Sequence, residues 1–258
     1  MKAIILAAGE GSRLRPLTDS TPKCLVELAG KPLLDWQTHA LRQCGIHNII
    51  VVRGYLARKI DRPDLRFYDN RDYATTNMVA SLWCAAREFT EDIVVCYADI
   101  IFNNDILEPL VKSPSEISVV VDLDWEAYWK ERFDDPLADA ESLKMDSHGK
   151  ITSIGQKTQT LAEIEGQYIG LMKFTTAGLE KINASYQQAV ATSVQGGQAW
   201  GQSRPVAKAY MTDLLQGLIL EGALLQAVKV SGGWLEIDSL ADYTLAKKYL
   251  QNGHIQRR

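Results

Sequence analysis

Short apolar runs alternate with amphipathic stretches along this chain. Residues 4–6, 49–52, 93–97 and 117–121 are almost continuously apolar, the pattern of strands buried on both faces of a parallel sheet. Between them, Leu33, Leu34, Trp36, Leu41 and Cys44 recur at helical spacing up to Gly45, and a second helix is expected over 77–88, capped by Thr75 or Thr76. With a weaker strand at 65–68 and a helical stretch at 107–111, strand and helix alternate in the rhythm of a doubly wound α/β fold: three layers around a mostly parallel sheet.

Beyond Asp122 the pattern changes. Trp125, Tyr128 and Trp129 cluster in a charged segment, 143–145 and 151–154 read as a hairpin around Ser147-His148-Gly149, and 168–174 reads as a strand. Residues 187–203, rich in Gln, Gly and Ser, read as a helix end followed by a flexible surface loop. Helical spacing returns at 211–220 and 240–250, with a strand at 226–230. No internal repeat interrupts this, so a single domain over 1–258 is expected, with 1–122 and 123–258 as halves of different character.

Charge and cysteine usage narrow the class. A net charge of -4 over 258 residues argues against a nucleic-acid or anionic-membrane surface, which needs a broad basic footprint. Cys24, Cys44, Cys84 and Cys96 form no C-x-x-C pair and sit in apolar contexts suited to reduced core thiols. The chain opens on a strand-like run without a charged leader, and no apolar stretch nears the ~18 residues of a membrane span. The expected location is the cytoplasm; a homo-oligomer remains open.

The chemistry concentrates in the first turn. Ile4-Ile5-Leu6-Ala7-Ala8-Gly9-Glu10-Gly11-Ser12-Arg13-Leu14-Arg15-Pro16 leads through Leu17-Thr18 to Pro22-Lys23. Small residues let a ligand approach the main chain, whose N–H groups can converge on phosphate oxygens, while Arg13, Arg15 and Lys23 supply neutralising charge. The spacing fits neither the dinucleotide fingerprint nor the P-loop. It resembles instead the L-A-A-G-x-G-S/T-R-L-x-P-L-T…P-K signature of nucleotidyltransferases that charge small phosphorylated compounds, whose fold is Rossmann-like.

That resemblance gives the other residues expected roles. Leu6, Ala7, Ala8, Gly9, Gly11, Ser12 and Arg13 would cradle the nucleotide, with Arg13 and Lys23 catalytic: Arg13 on the departing pyrophosphate, Lys23 between acceptor and α-phosphate. Asp99 and Asp238 each follow an apolar run, at the carboxyl ends of strands where open α/β sheets bind ligands. In the family, aspartates at these positions hold Mg²⁺, which suits one or two carboxylates together with substrate phosphates. Residues 1–122 would then bind the nucleotide, and 123–258 would form a smaller mixed-sheet region for the acceptor.

Three later stretches, 73–82, 165–174 and 233–238, resemble the cytidylyltransferase branch acting on phosphocholine and small phosphonates such as 2-aminoethylphosphonate. This implies CTP as donor, with Asn77 and Ser81 near the base, and a small phosphate or phosphonate acceptor. Trp125, Trp129, Tyr168, Trp200 and Trp234, with Glu236, would surround a cationic head group; core packing is the competing reading for each tryptophan. A smaller phosphonate would draw on Lys157 and Lys173 instead. The alternatives are a sugar-1-phosphate nucleotidyltransferase using another NTP and a catalytically silent nucleotide-binding regulator.

Overall fold

The computed structural model describes residues 1–202 and 204–253. In chain order it comprises β1 (Lys2–Ala7), β2 (Glu27–Leu28), β3 (Lys31–Pro32), α1 (Leu33–Gln43), β4 (Asn48–Arg53), β5 (Arg66–Asp69), α2 (Met78–Cys84), β6 (Ile93–Tyr97), β7 (Ile100–Phe102) and α3 (Asn104–Lys112). There follow β8 (Ile117–Asp122), α4 (Trp125–Arg132), β9 (Ser142–Met145), β10 (Lys150–Gln156), β11 (Gln167–Phe174), α5 (Thr176–Val194), α6 (Met211–Leu220), β12 (Leu225–Val230), β13 (Trp234–Glu236) and α7 (Leu240–Gln251).

Nine strands form one sheet in the order β5-β4-β1-β6-β11-β8-β12-β10-β9. The strands β5, β4, β1 and β6 run parallel, and so do β8 and β12, while β11 lies antiparallel between β6 and β8. The mixed part expected from the second half is therefore a continuation of the same sheet, closed at one edge by the β9–β10 hairpin. Strand alternation divides the core between the two faces. Ala3, Ile5 and Ala7 of β1 pack with α1, α3, α4 and α7, whereas Ile4 packs with α2, α5 and α6. Helices on both faces make the three layers.

Two local expectations differ. Asn77, not Thr75 or Thr76, caps α2: its Oδ1 accepts from the Met78 N–H at 2.8 Å. The stretch 187–203 begins as the expected helix end and is exposed over 195–198, but it does not stay at the surface. Helix α5 runs on to Val194, and Ala199 and Trp200 are buried, the indole donating to Ser185 Oγ at 2.9 Å. Trp200 fits there because Gly217 on α6 leaves room, a Cβ at 217 falling 2.0 Å from the indole. Ser203 itself lies outside the described residues. The cysteines are free, Cys24 and Cys96 buried, Cys44 and Cys84 half-buried. Among the described residues no helix is long and apolar enough to cross a membrane.

Candidate active site

The glycine-rich turn leaves β1 at Ala7 and is pinned below by Leu14, which is fully buried. Gly11 adopts φ +63°, and a Cβ there would press on the Lys23 side chain at 3.0 Å, so glycine both makes the turn and lets Lys23 pass close. The Thr18 hydroxyl donates to the Gly11 carbonyl at 2.8 Å and locks the turn. Gly9 differs: a Cβ would meet nothing within 4 Å. No protein neighbour requires glycine there, and the open space belongs to a cavity of about 250 Å³. Leu6, Ala7, Ala8, Gly9, Gly11, Ser12 and Arg13 line it, together with Lys23, Asn77, Ser81, Asp99 and Asp238, as the sequence suggests. Tyr73, Thr76 and Met78, all within the 73–82 stretch, line it too, as does Tyr97, which no motif marks.

A short ribbon brings the aspartates together. Residues Ile100, Ile101 and Phe102 of β7 pair with Glu236, Leu235 and Trp234 of β13. One step beyond that register, the Ile237 N–H donates to the Asp99 carbonyl at 2.8 Å, so Asp99 and Asp238 emerge side by side. Lys23 Nζ lies 2.7 Å from Asp99 Oδ2 and 2.6 Å from Asp238 Oδ1, and Arg13 is 2.5 Å from the other Asp238 oxygen. Burial alone would lower the Lys23 pKa, but the two carboxylates outweigh it and raise it, so the ammonium stays charged. Asp99 Oδ1 is buried with no hydrogen-bond partner among the described residues. Two converging carboxylates, one with an unmet oxygen, suit a hard divalent cation. Among the described residues no third Asp, Glu, His or Cys joins them.

Asn77 and Ser81 line the cavity, but their polar atoms are partly spent. Asn77 caps its helix, and Ser81 Oγ accepts from Asn70 at 3.0 Å and donates to the Asn77 carbonyl at 3.3 Å.

The expected aromatic enclosure is corrected by the structure. Trp125, Trp129 and Trp234 are each 3 % exposed and form part of the core beneath α4. Trp125 and Trp129 do share a helix face, 5.9 Å apart edge to face, but that face looks inward. The Trp234 indole donates to Asp122 at 2.8 Å and that of Trp129 to Asp139 at 3.1 Å. Trp200 sits in the core on the other face of the sheet. Trp129 meets Trp125, Trp234 and Arg132, whose guanidinium lies 5.0 Å from its ring centroid. Lys173 is also removed: it is buried, donating to the Val111 and Ser113 carbonyls.

The other three residues expected on the acceptor side, Glu236, Tyr168 and Lys157, do not line the cavity. Glu236 is pushed up to about 7 by burial, against the opposing effect of Arg132, whose guanidinium pairs with it at 2.6 Å and with Asp242 at 2.8 Å. The half-buried Tyr168 meets Tyr97 edge to face at 5.7 Å. Gly170, at φ +79°, lets the Tyr97 ring rest on β11, a Cβ there falling 2.5 Å from the ring. Lys157 is exposed at the end of β10, its Nζ 3.4 Å from the Ala138 carbonyl.

Residues 3–144 match the MobA-like NTP transferase domain, more than half of the chain. The chain belongs to that family. A CTP:phosphoglutamine cytidylyltransferase of Campylobacter jejuni is 39% identical over 253 residues, covering 94% of this chain and 97% of that relative. A choline-phosphate cytidylyltransferase of Streptococcus pneumoniae is 39% identical over 117 residues, 44% of this chain and 51% of the relative. The solved structure of the CTP:phosphocholine cytidylyltransferase from Streptococcus pneumoniae superposes with a TM-score of 0.69 at 25% identity, covering 96% of this chain and 98% of the other. These family relatives transfer a nucleotide from CTP, and the signature turn that suggested them lies inside the matched region.

Proposed function

We propose that this protein is a cytidylyltransferase that moves CMP from CTP to a small phosphorylated acceptor, releasing pyrophosphate, with Mg²⁺ as cofactor. The observation that carries the reading is the convergence of Arg13, Lys23, Asp99 and Asp238 on the floor of a cavity whose wall is glycine-rich main chain. The end-to-end likeness to a CTP:phosphoglutamine cytidylyltransferase supports CTP as donor and an amino-acid phosphate as acceptor. Burial of the tryptophans argues against a quaternary ammonium as the preferred head group. The cytoplasm, with its nucleoside triphosphates and reduced thiols, suits such an enzyme.

In the reaction an acceptor phosphate oxygen attacks the α-phosphorus in line, a new P–O–P bond forms, and the bond to the β-phosphate oxygen breaks with pyrophosphate leaving. Little proton transfer is needed, so positioning and charge neutralisation carry the catalysis. Main-chain N–H groups of 8–13 hold the phosphates, Arg13 neutralises the departing pyrophosphate, and Lys23 draws the two reacting phosphates together. Asp99 and Asp238 would hold Mg²⁺, which would supply charge neutralisation at the phosphates. The test is pyrophosphate release from each of the four NTPs, crossed with phosphoglutamine, phosphocholine, 2-aminoethylphosphonate and glucose-1-phosphate, with and without Mg²⁺. Turnover with CTP and a non-sugar acceptor is expected; turnover with glucose-1-phosphate alone would overturn the reading.

A further inference from the structure

Asp99 sits in the two-residue turn, Ala98-Asp99, that links β6 to β7, so the place of its carboxylate depends on how firmly that turn is held. Two of the ties are main-chain. The Ala98 N–H donates to the Leu6 carbonyl at 3.3 Å, and the Ile237 N–H donates to the Asp99 carbonyl at 2.8 Å. The third tie is a side chain from another element. Gln37, on α1, donates through Nε2 to the Tyr97 carbonyl at 2.5 Å and to the Ile100 carbonyl at 2.7 Å, the two residues that bracket the turn.

Gln37 stands where packing alone would place an apolar residue. Leu33, Leu34 and Leu41, at i−4, i−3 and i+4 on the same face of α1, are fully buried, and so is Gln37. Its NH2 group carries two N–H bonds, one for each carbonyl, and turning the amide over would set its oxygen against two acceptors. The orientation is therefore fixed by its partners. The other end gains nothing: Oε1 has no hydrogen-bond partner among the described residues, and an unmet buried acceptor destabilises a fold. The two donated bonds are thus the whole polar contribution of the side chain, and both go to the turn that carries Asp99.

We propose that Gln37 is a positioning residue for Asp99: bracketing the turn from α1, it keeps the Asp99 carboxylate beside that of Asp238, so that one divalent cation can be held by both. The inference rests on the Mg²⁺-dependent cytidylyltransferase reading and deepens it. Gln37 does not line the cavity and touches no reacting atom. Its effect therefore belongs to metal affinity and not to recognition of the acceptor.

The experiment measures Mn²⁺ affinity, as a paramagnetic stand-in for Mg²⁺, by electron paramagnetic resonance on protein saturated with a CTP analogue carrying a methylene between the α- and β-phosphorus. Wild type is compared with Gln37→Met, Gln37→Asn and Leu41→Ala. Gln37→Met keeps the length of the side chain and removes both donors, whereas Gln37→Asn keeps the amide on a stem one methylene shorter, too short to span both carbonyls. Leu41→Ala removes packing from the same helix face and no bond to the turn. Gln37→Met is expected to weaken Mn²⁺ binding at least ~10-fold, the scale for groups that support a metal ligand from behind. The Mg²⁺ concentration for half-maximal turnover should rise with it, while KM for the acceptor at saturating Mg²⁺ stays put. Gln37→Asn should lie between, and carries the test if Gln37→Met does not fold. Leu41→Ala, though more easily unfolded by urea, should bind Mn²⁺ as wild type does. Unchanged Mn²⁺ affinity in the Gln37 variants, or an equal loss in Leu41→Ala, would overturn the proposal while leaving the cytidylyltransferase reading intact. Wild type that binds no Mn²⁺ and turns over without Mg²⁺ would sink the metal assignment, and the proposal with it.

Discussion

Lys23 and Gly9 separate what holds the site together from what it does. Lys23 joins two carboxylates that are otherwise close enough to repel, yet its chemical role in the proposed reaction is toward phosphates. Lys23→Ala is expected to lower kcat at least ~100-fold, the cost of deleting one preorganised donor, with circular dichroism showing a native fold. Near-normal turnover would remove Lys23 from the mechanism. Gly9→Ala is the complementary case: no protein atom lies within 4 Å of the added methyl, so the melting temperature should hold while KM for CTP rises. These residues were legible in the sequence because close approach of a ligand to main chain demands small residues in a fixed order. Tyr97 was not legible, since a strand-end tyrosine acquires its place only through the packing of β11.

At the level of elements, the chief reversal concerns α4 and β13. Spacing put Trp125 and Trp129 on one helix face, which the structure bears out, but spacing cannot say whether that face looks toward ligand or core. The answer came from Asp122, which ends β8 and accepts both the Trp234 indole N–H and the Gly232 N–H. That polar anchor draws β13 and its tryptophan inward. Trp234→Ala should therefore destabilise the fold by ~3–5 kcal/mol, read from urea unfolding, because it opens a cavity and leaves Asp122 short of a partner. Most strands and helices were readable from periodicity. The insertion of β11 between β6 and β8 was not, because strand order depends on which sheet edge remains open after earlier strands have paired.

For the molecule as a whole, the two core faces meet at a sheet whose first strand is tied down by charge. Lys2 of β1, with Arg66 and Tyr68 of β5, surrounds the buried Glu88 carboxylate at 3.0, 2.6 and 2.8 Å. Burial pushes this carboxyl up, but the hydrogen bonds from Arg66, Lys2 and Tyr68 outweigh it and hold it at about 2 against an ordinary 4.5. The stability it contributes is present above pH 4.5 and lost as pH falls toward 2. Glu88→Gln should cost on the order of 3 kcal/mol at neutral pH and flatten the acid limb of a stability-against-pH curve. An unaltered acid limb would show that other carboxylates govern it. The aspartate pair has a different consequence, in time. Asp99 and Asp238 come from different halves of the chain and meet only when β13 has paired with β7. During synthesis the charged cluster therefore stays incomplete until residue 238 has cleared the ribosome, and until then Lys23 lacks one of its two carboxylate partners.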